Sequence, residues 1–212
     1  MLQNLRDRFV AELRPTPPAV VPRRLVIGAI AGAMTSIVLV IVLMGLRPDM
    51  ARATLSYMFW FKLAYTSALA AFALWSAERL ARPGAAGLWE LLWIAAPLVL
   101  VVALAVWQLC WAPEPMRKQM IMGDSSKVCS WCIVVFSIPP LLGLIWAMRG
   151  LAPTNLPRAG AVIGLASGGF GASAYALHCT EVTAPFLAIW YTFGVATAGG
   201  IGAVLGPRVL RW

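Results

Sequence analysis

Long apolar runs separated by short polar connections make up most of the chain. Six runs each reach about the 20 residues that an α-helix needs to cross a bilayer, and the first contains no charged residue. The runs are continuous, whereas a membrane β-barrel has short segments of alternating polarity. Helices satisfy their own backbone hydrogen bonds in lipid. The pattern therefore predicts an all-α integral membrane protein with six transmembrane helices, over 25–46, 55–80, 90–110, 129–148, 159–179 and 185–205.

Basic residues are distributed unevenly between the connections of these helices. Eleven Arg residues lie in the amino-terminal segment, the second and fourth connections and the carboxyl end, against five Arg and Lys residues in the other connections. Loops rich in Arg and Lys remain on the cytoplasmic side. We therefore expect both termini to be cytoplasmic.

The composition supports a membrane protein and argues against nucleic-acid binding. Hydrophobic residues make up 61% of the chain and charged residues 12%, which is too little charge for a soluble domain and too much apolar surface for disorder. The formal net charge is +9, but the basic residues stand singly or in pairs at the ends of apolar runs. Membrane lipid is the expected contact for them, and no nucleic-acid recognition motif accompanies the charge.

The sequence divides into a short head, 1–24, and a membrane domain, 25–212. Apolar residues of the head recur at helical spacing and predict an amphipathic helix of about three turns. Four prolines follow and predict a stiff spacer that ends at the first span. The apolar stripe needs either a lipid surface or a groove on a partner protein. Its members are Leu2, Leu5, Phe9 and Leu13.

In this topology all four cysteines fall at the external membrane face. Cys129 and Cys132 are one helical turn apart, so they can share a helix face. The external side permits disulfides, and thiolates bind soft metal ions such as copper(I) and zinc. No constitutive cofactor is expected. The alternative is that the cysteines are small buried apolar residues. The candidate residues at this face are Cys129, Cys179 and His178, with Cys132, Cys110 and Glu181 as accessory candidates.

Lysine and glycine mark two further features of the spans. Lys62 lies inside the second span, where a charged side chain is costly, so it either reaches outward to the interface or acts as a polar anchor that bonds a backbone carbonyl. Glycines recur every four residues in the first and fifth spans and are frequent in the sixth. Small residues at this spacing let helix backbones approach closely, which predicts a tight bundle of the first, fifth and sixth helices.

Several stretches resemble the NrsF family, six-span membrane anti-sigma factors that regulate extracytoplasmic-function (ECF) sigma factors. The matching stretches are Phe59-Trp60-Phe61-Lys62, Gly123-Asp124-Ser125-Ser126, Ser137-Ile138-Pro139-Pro140-Leu141, Arg149-Gly150-Leu151-Ala152-Pro153, Ala174-Tyr175-Ala176-Leu177-His178-Cys179 and Ile189-Trp190-Tyr191. The resemblance implies a bacterial inner-membrane protein whose cytoplasmic amino-terminal segment holds an ECF sigma factor. It also implies that Cys129 and Cys179 sense heavy-metal or oxidative stress and trigger release.

Two other function classes compete with this regulatory, non-enzymatic interpretation. External cysteine pairs on a helical bundle would suit a quinone-coupled thiol oxidoreductase, which requires an exposed sulfur for exchange. A transporter built on inverted repeats is less favoured, because the two halves lack convincing similarity and no broken helix pair is apparent.

Overall fold

The computed structural model describes residues 20–82, 89–151 and 153–211. Helices connected by short turns make up these ranges. The residues of the predicted head stripe, Leu2, Leu5, Phe9 and Leu13, lie outside the described residues. In chain order the helices are α1 (Val20–Leu43), α2 (Met50–Ala53), α3 (Tyr57–Leu80), α4 (Trp89–Trp111), α5 (Glu114–Met122), α6 (Ser126–Phe136), α7 (Ile138–Arg149), α8 (Leu156–Tyr175), α9 (Ala184–Phe186) and α10 (Thr192–Val209).

Five segments of the described chain are long and apolar enough to cross a membrane. They correspond to α1, α3, α4, the stretch from α5 to α7, and the stretch from α9 to α10. The predicted fifth span corresponds to α8, which is not among the five. Glycine, alanine and serine dominate α8, and most of its residues are buried against other helices, so its surface does not need to be strongly apolar. The all-helical class is confirmed, and the count of six is not.

The first helix begins earlier than predicted, and one short helix was not predicted. Helix α1 begins at Val20, five residues before the predicted start, and the proline spacer expected to reach residue 24 is wrong over 20–24. Pro22 lies in the first turn of α1, where a missing backbone N–H costs nothing. The amphipathic helix α5 was not predicted, because its nine residues carry too little apolar character to stand out between two long runs.

The predicted fourth span is broken into α6 and α7 by two consecutive prolines. Pro140 lacks the N–H that the carbonyl of Phe136 would otherwise accept within the helix. The hydroxyl of Ser36, buried on α1, donates to that carbonyl at 2.6 Å instead. The break in one span is therefore stabilised by a side chain from another.

Glycines produce two close helix interfaces. Gly160 and Gly164 of α8 face the backbone of α10 at Gly202 and Ala198, as the prediction for the fifth and sixth spans required. The first span was expected to join this pair. It does contact α8, but its glycines face α7 instead. Gly28 of α1 lies against the backbone of Gly143, so α1 packs mainly against α7. The reason is that α7 carries its own glycine at the matching level, which sequence periodicity alone did not reveal.

Candidate functional site: a buried pair of cysteines

Cys129 and Cys179, fifty residues apart in the chain, form the centre of the site. Cys129 lies in the first turn of α6, and Cys179 lies in the loop that follows α8. Their thiol groups contact each other. The two residues are 0% and 3% exposed, and both thiols are free. Two free thiols in contact can join as a disulfide or hold a soft metal ion between them.

Two cationic side chains hold the backbone at Cys179. The Lys62 ammonium of α3 donates to the Cys179 carbonyl at 2.9 Å, and Arg47 Nη1 donates to the same oxygen at 3.4 Å. The backbone N–H of Arg47 also donates to the Leu177 carbonyl at 3.1 Å. These bonds join the end of α8 to α3 and to the α1–α2 connection.

Lys62 is completely buried, with 0% exposure, so its side chain does not reach the interface. Its amine lies 5.3 Å from the centre of the Tyr191 ring, a cation–π distance, and interacts electrostatically with both thiols of the pair. The carbonyl that it bonds belongs to the loop after the glycine-rich helix. Lys62 is therefore a polar anchor within the cysteine site itself.

An exposed carboxylate neutralises the second cation. Asp49 receives hydrogen bonds from Arg47 Nε at 2.7 Å and from Nη2 at 2.8 Å. This paired geometry raises the pKa of Arg47 and lowers the pKa of Asp49 below its ordinary value. Arg47 therefore keeps its charge while its side chain is almost fully buried.

A π-helical turn, Leu187–Tyr191, joins α9 to α10 beside the cysteines. Such turns leave backbone carbonyls without their usual partners, and here side chains replace them. Ser130 Oγ donates to the Trp190 carbonyl at 2.8 Å, and Thr192 Oγ1 donates to the Leu187 carbonyl at 3.3 Å. Thr192 is in turn 2.7 Å from the hydroxyl of Tyr65 on α3. The turn is thus held by α6 and α3.

The π turn points Tyr191 into the site. Tyr191 is 0% exposed, and its hydroxyl interacts electrostatically with the Cys179 thiol. The hydroxyl does not reach hydrogen-bond geometry with any group in the part of the chain that the structure describes. A buried hydroxyl without a partner is uncommon and costs free energy.

His178, predicted together with the two cysteines, and the predicted accessory residues lie around the pair rather than at it. His178 Nδ1 is 3.0 Å from the Gly45 carbonyl, and its ring packs against Tyr175. Half-buried Cys132 interacts with the Tyr175 hydroxyl, and Cys110 is exposed near the end of α4. Glu181 accepts a hydrogen bond from the Asp124 N–H at 2.7 Å, just before α6.

The positions of these side chains determine how many ligands the site could provide to a metal ion. Within 20–82, 89–151 and 153–211, no three His, Cys, Asp or Glu side chains are grouped closely enough to hold a metal ion. The two thiols of Cys129 and Cys179 would therefore be the main ligands of any soft cation bound there.

Sequence reasoning missed Arg47 and Tyr191 as parts of the site. Arg47 counted only as a loop charge, although Pro48 and Asp49 after it form a compact turn that directs it back toward Cys179. Tyr191 was named only within the stretch Ile189-Trp190-Tyr191 of the family resemblance, with no role of its own. Pro185 near the start of the last helix was the one local signal that this helix begins irregularly.

Comparisons with known proteins give a consistent result. The family model described as "NrsF: Negative regulator of sigma F" matches residues 9–212. The "Anti-sigma-F factor NrsF" of Caulobacter vibrioides is 39% identical over 211 residues, which cover 99% of this chain and 98% of that protein. The "Probable anti-sigma-F factor NrsF" of Azospira oryzae is 35% identical over 182 residues, which cover 85% of each chain. No solved structure matches the chain.

Proposed function

Because the chain belongs to the NrsF family of negative regulators of sigma F, we propose that it holds an ECF sigma factor at the bacterial inner membrane and releases it under stress. In this proposal the membrane domain is a six-helix bundle with both termini in the cytoplasm. The amino-terminal segment, 1–24, binds the sigma factor through Leu2, Leu5, Phe9 and Leu13. Reaction at Cys129 and Cys179 on the periplasmic side weakens that binding.

One observation carries the sensing part of the proposal. The thiols of Cys129 and Cys179 are free and in contact, although the two residues come from different helical segments. A disulfide or a thiolate–metal–thiolate bridge formed there would change how α6 meets the end of α8. A signal can shift a two-state equilibrium only by its differential affinity for the two states, and about 3 kcal/mol would change sigma-factor occupancy about a hundredfold.

A route toward the opposite end of the bundle is present in the fold. The loop that contains Cys179 follows α8, which packs along α10 through glycines. At the far end of α10, Arg149 Nε donates to the Val209 carbonyl at 2.6 Å, and Arg24 of α1 lies over the ring of Trp146. These contacts extend from the cysteine site to the start of α1, whose first residues, 20–24, are the last residues of the head.

The thiol oxidoreductase alternative draws no support from the site. That alternative needs exchange between a Cys129–Cys132 pair and a second Cys110–Cys179 pair, with an accessible sulfur. Cys110 is exposed, but Cys129 and Cys179 are buried, so one member of each pair is closed to a partner protein. The regulatory interpretation needs only a small oxidant or ion to reach them.

The double substitution Cys129→Ser and Cys179→Ser tests the sensing step. Cells that carry it should keep the sigma factor bound under peroxide or cadmium challenge, with induction of a sigma-dependent reporter reduced at least tenfold. Cys110→Ser is the matched control, because Cys110 is exposed and outside the pair. Full induction in the double variant would overturn cysteine sensing, and comparing the two challenges separates oxidant from ion.

Deletion of residues 1–19 tests the binding step. The deletion leaves α1 intact from Val20. Detergent-solubilised protein, captured through a carboxyl-terminal tag, should lose the co-purifying sigma factor on deletion. Equal recovery of the sigma factor would place its binding surface on the inner loops instead.

A further inference from the structure

The hydroxyl of Tyr191 is the one buried side-chain polar atom in the described parts of the chain that has no hydrogen-bond partner. A folded protein normally satisfies such groups, and a tyrosine that lacked a use for its hydroxyl could be replaced by phenylalanine. Tyr191 is completely buried, and the Lys62 Nζ that lies 5.3 Å from its ring also donates to the Cys179 carbonyl at 2.9 Å, so the ring and Cys179 share one site. The unsatisfied hydroxyl of Tyr191 therefore lies within the cysteine site, where the proposed reaction takes place.

The Tyr191 ring is fixed from several sides, so the hydroxyl cannot turn to another partner. Its centre lies 6.2 Å from that of Tyr175 and 6.4 Å from that of Phe186, and the Lys62 ammonium approaches it at 5.3 Å. The π turn determines where the Tyr191 ring lies, and the hydrogen bond from Ser130 to the Trp190 carbonyl stabilises that turn. π-Helical turns occur frequently at functional sites.

The unsatisfied O–H donor of Tyr191 indicates which kind of acceptor it would bind. A thiol is a weak acceptor, whereas an oxygen bound to sulfur is a strong one. We propose that Tyr191 is a third binding residue of the cysteine site, whose hydroxyl donates a hydrogen bond to the oxygen that Cys179 carries after reaction with a hydroperoxide. This inference rests on the proposed function and names the oxidised form of Cys179 that the site recognises.

The chemistry proceeds in two steps. The Cys179 sulfur attacks one peroxide oxygen, so an S–O bond forms, the O–O bond breaks, and the leaving oxygen departs as water with the thiol proton. Sulfur loses two electrons to the peroxide, and Cys179 becomes a sulfenic acid. The Cys129 thiol then attacks that sulfur, an S–S bond replaces the S–O bond, and a second water leaves.

Position assigns Cys179 as the cysteine that reacts first. The Lys62 ammonium donates to the Cys179 carbonyl and lies 5.3 Å from the centre of the Tyr191 ring, so both side chains belong to the surroundings of Cys179. A neighbouring cation favours the thiolate form that attacks peroxides. Cys129 contacts Cys179 from α6 and is in place to resolve the sulfenic acid.

The test uses the full-length protein in detergent with Cys179 as its only cysteine, so that the sulfenic acid cannot be resolved by another thiol. Cys129→Ser, Cys110→Ser and Cys132→Ala provide this background. Hydrogen peroxide is added in the presence of dimedone, which traps sulfenic acids, and the adduct at Cys179 is followed by mass spectrometry. Tyr191→Phe should lower the rate of adduct formation about tenfold, the effect of losing one strong hydrogen bond.

Two further variants serve as controls. Tyr175→Phe removes a neighbouring hydroxyl that interacts with Cys132 but keeps the ring that packs beside Tyr191, and it should leave the rate unchanged. Ser130→Ala loosens the π turn without removing the Tyr191 hydroxyl and should give an intermediate rate. The thermal midpoint of Tyr191→Phe should be no lower than that of the parent, because the substitution removes an unsatisfied group.

Equal rates for the parent and Tyr191→Phe would overturn the inference, as would an inert Cys179 in the parent. These results are separable from failure of the proposed function. A slow Tyr191→Phe reaction combined with undiminished sigma binding after oxidation would refute the release mechanism and leave the role of Tyr191 intact. Normal release with no effect of Tyr191→Phe would do the reverse.

Discussion

The cysteine site and the interface between α8 and α10 stabilise neighbouring parts of the same bundle by opposite means. At the interface, glycines remove side chains and the two backbones touch. At the cysteine site, long side chains bond to backbone carbonyls, and one hydroxyl remains unsatisfied. Backbone contact leaves no alternative arrangement, whereas a side-chain network can be rearranged by one new bond. We therefore expect the two interlocked helices to move as a unit and the network beside them to be adjustable.

The largest expected effect is at the interface. Gly202→Leu would place a side chain against the carbonyl of Gly160 and force the two helices apart. We expect destabilisation of about 3 kcal/mol and a thermal midpoint lower by roughly 10 °C, measured in detergent by differential scanning fluorimetry. Gly200→Leu is the matched control, because a side chain at Gly200 meets open space. Similar midpoints for the two variants would refute backbone contact at this interface.

A smaller and local effect is expected from Lys62→Met, which fills the same space without the ammonium. The bond to the Cys179 carbonyl has a charged donor and contributes about 1.5–3 kcal/mol. Its loss should raise amide hydrogen exchange at least about tenfold over residues 176–183, with little change within α8 and α10. Lys118→Met, on the exposed helix α5, should leave exchange unchanged. Faster exchange spread over the whole chain would show that Lys62 stabilises the fold generally.

The smallest effect concerns pH. Because Arg47 lowers the pKa of Asp49 below its ordinary value of 3.8, the pair stabilises the folded protein above that value, and the contribution is lost as the pH falls through the lower folded pKa. At neutral pH, the thermal midpoint of the parent should exceed that of Asp49→Asn by less than the difference expected for Gly202→Leu. The gap should close in strongly acidic buffer, and a constant gap would remove Asp49 as the titrating group.

The sequence predicted the helical class and the approximate location of the membrane helices, because twenty-residue apolar runs leave few alternatives in lipid. It also placed Cys129 and Cys179 at helix ends that the fold brings together. Two glycine runs with equal spacing gave no means of deciding which helices pair, so the contact of α1 with α7 was missed. That contact depends on Gly143, which stands alone in its run.

The details of the site could not be predicted, because they depend on interactions that have little signal in the sequence. A π turn differs from an α-helix by one residue of register, and apolar runs contain no signal for it. The carbonyl freed by Pro140 could be foreseen from the chain, but its partner Ser36 lies a hundred positions earlier. Tyr191 looked ordinary because its unusual property, an unsatisfied hydroxyl, exists only in three dimensions.

The glycine contacts have a mechanical consequence. Helix α10 has 18 residues and is about 27 Å long. Since α8 and α10 interlock, we expect the pair to move as a stiff rod that starts at the π turn. A tilt of about 5° there would displace the opposite tip by about 2 Å, comparable to the helix shifts of known switches. That tip carries the Val209 carbonyl and its bond from Arg149, so a movement of this size would break the bond.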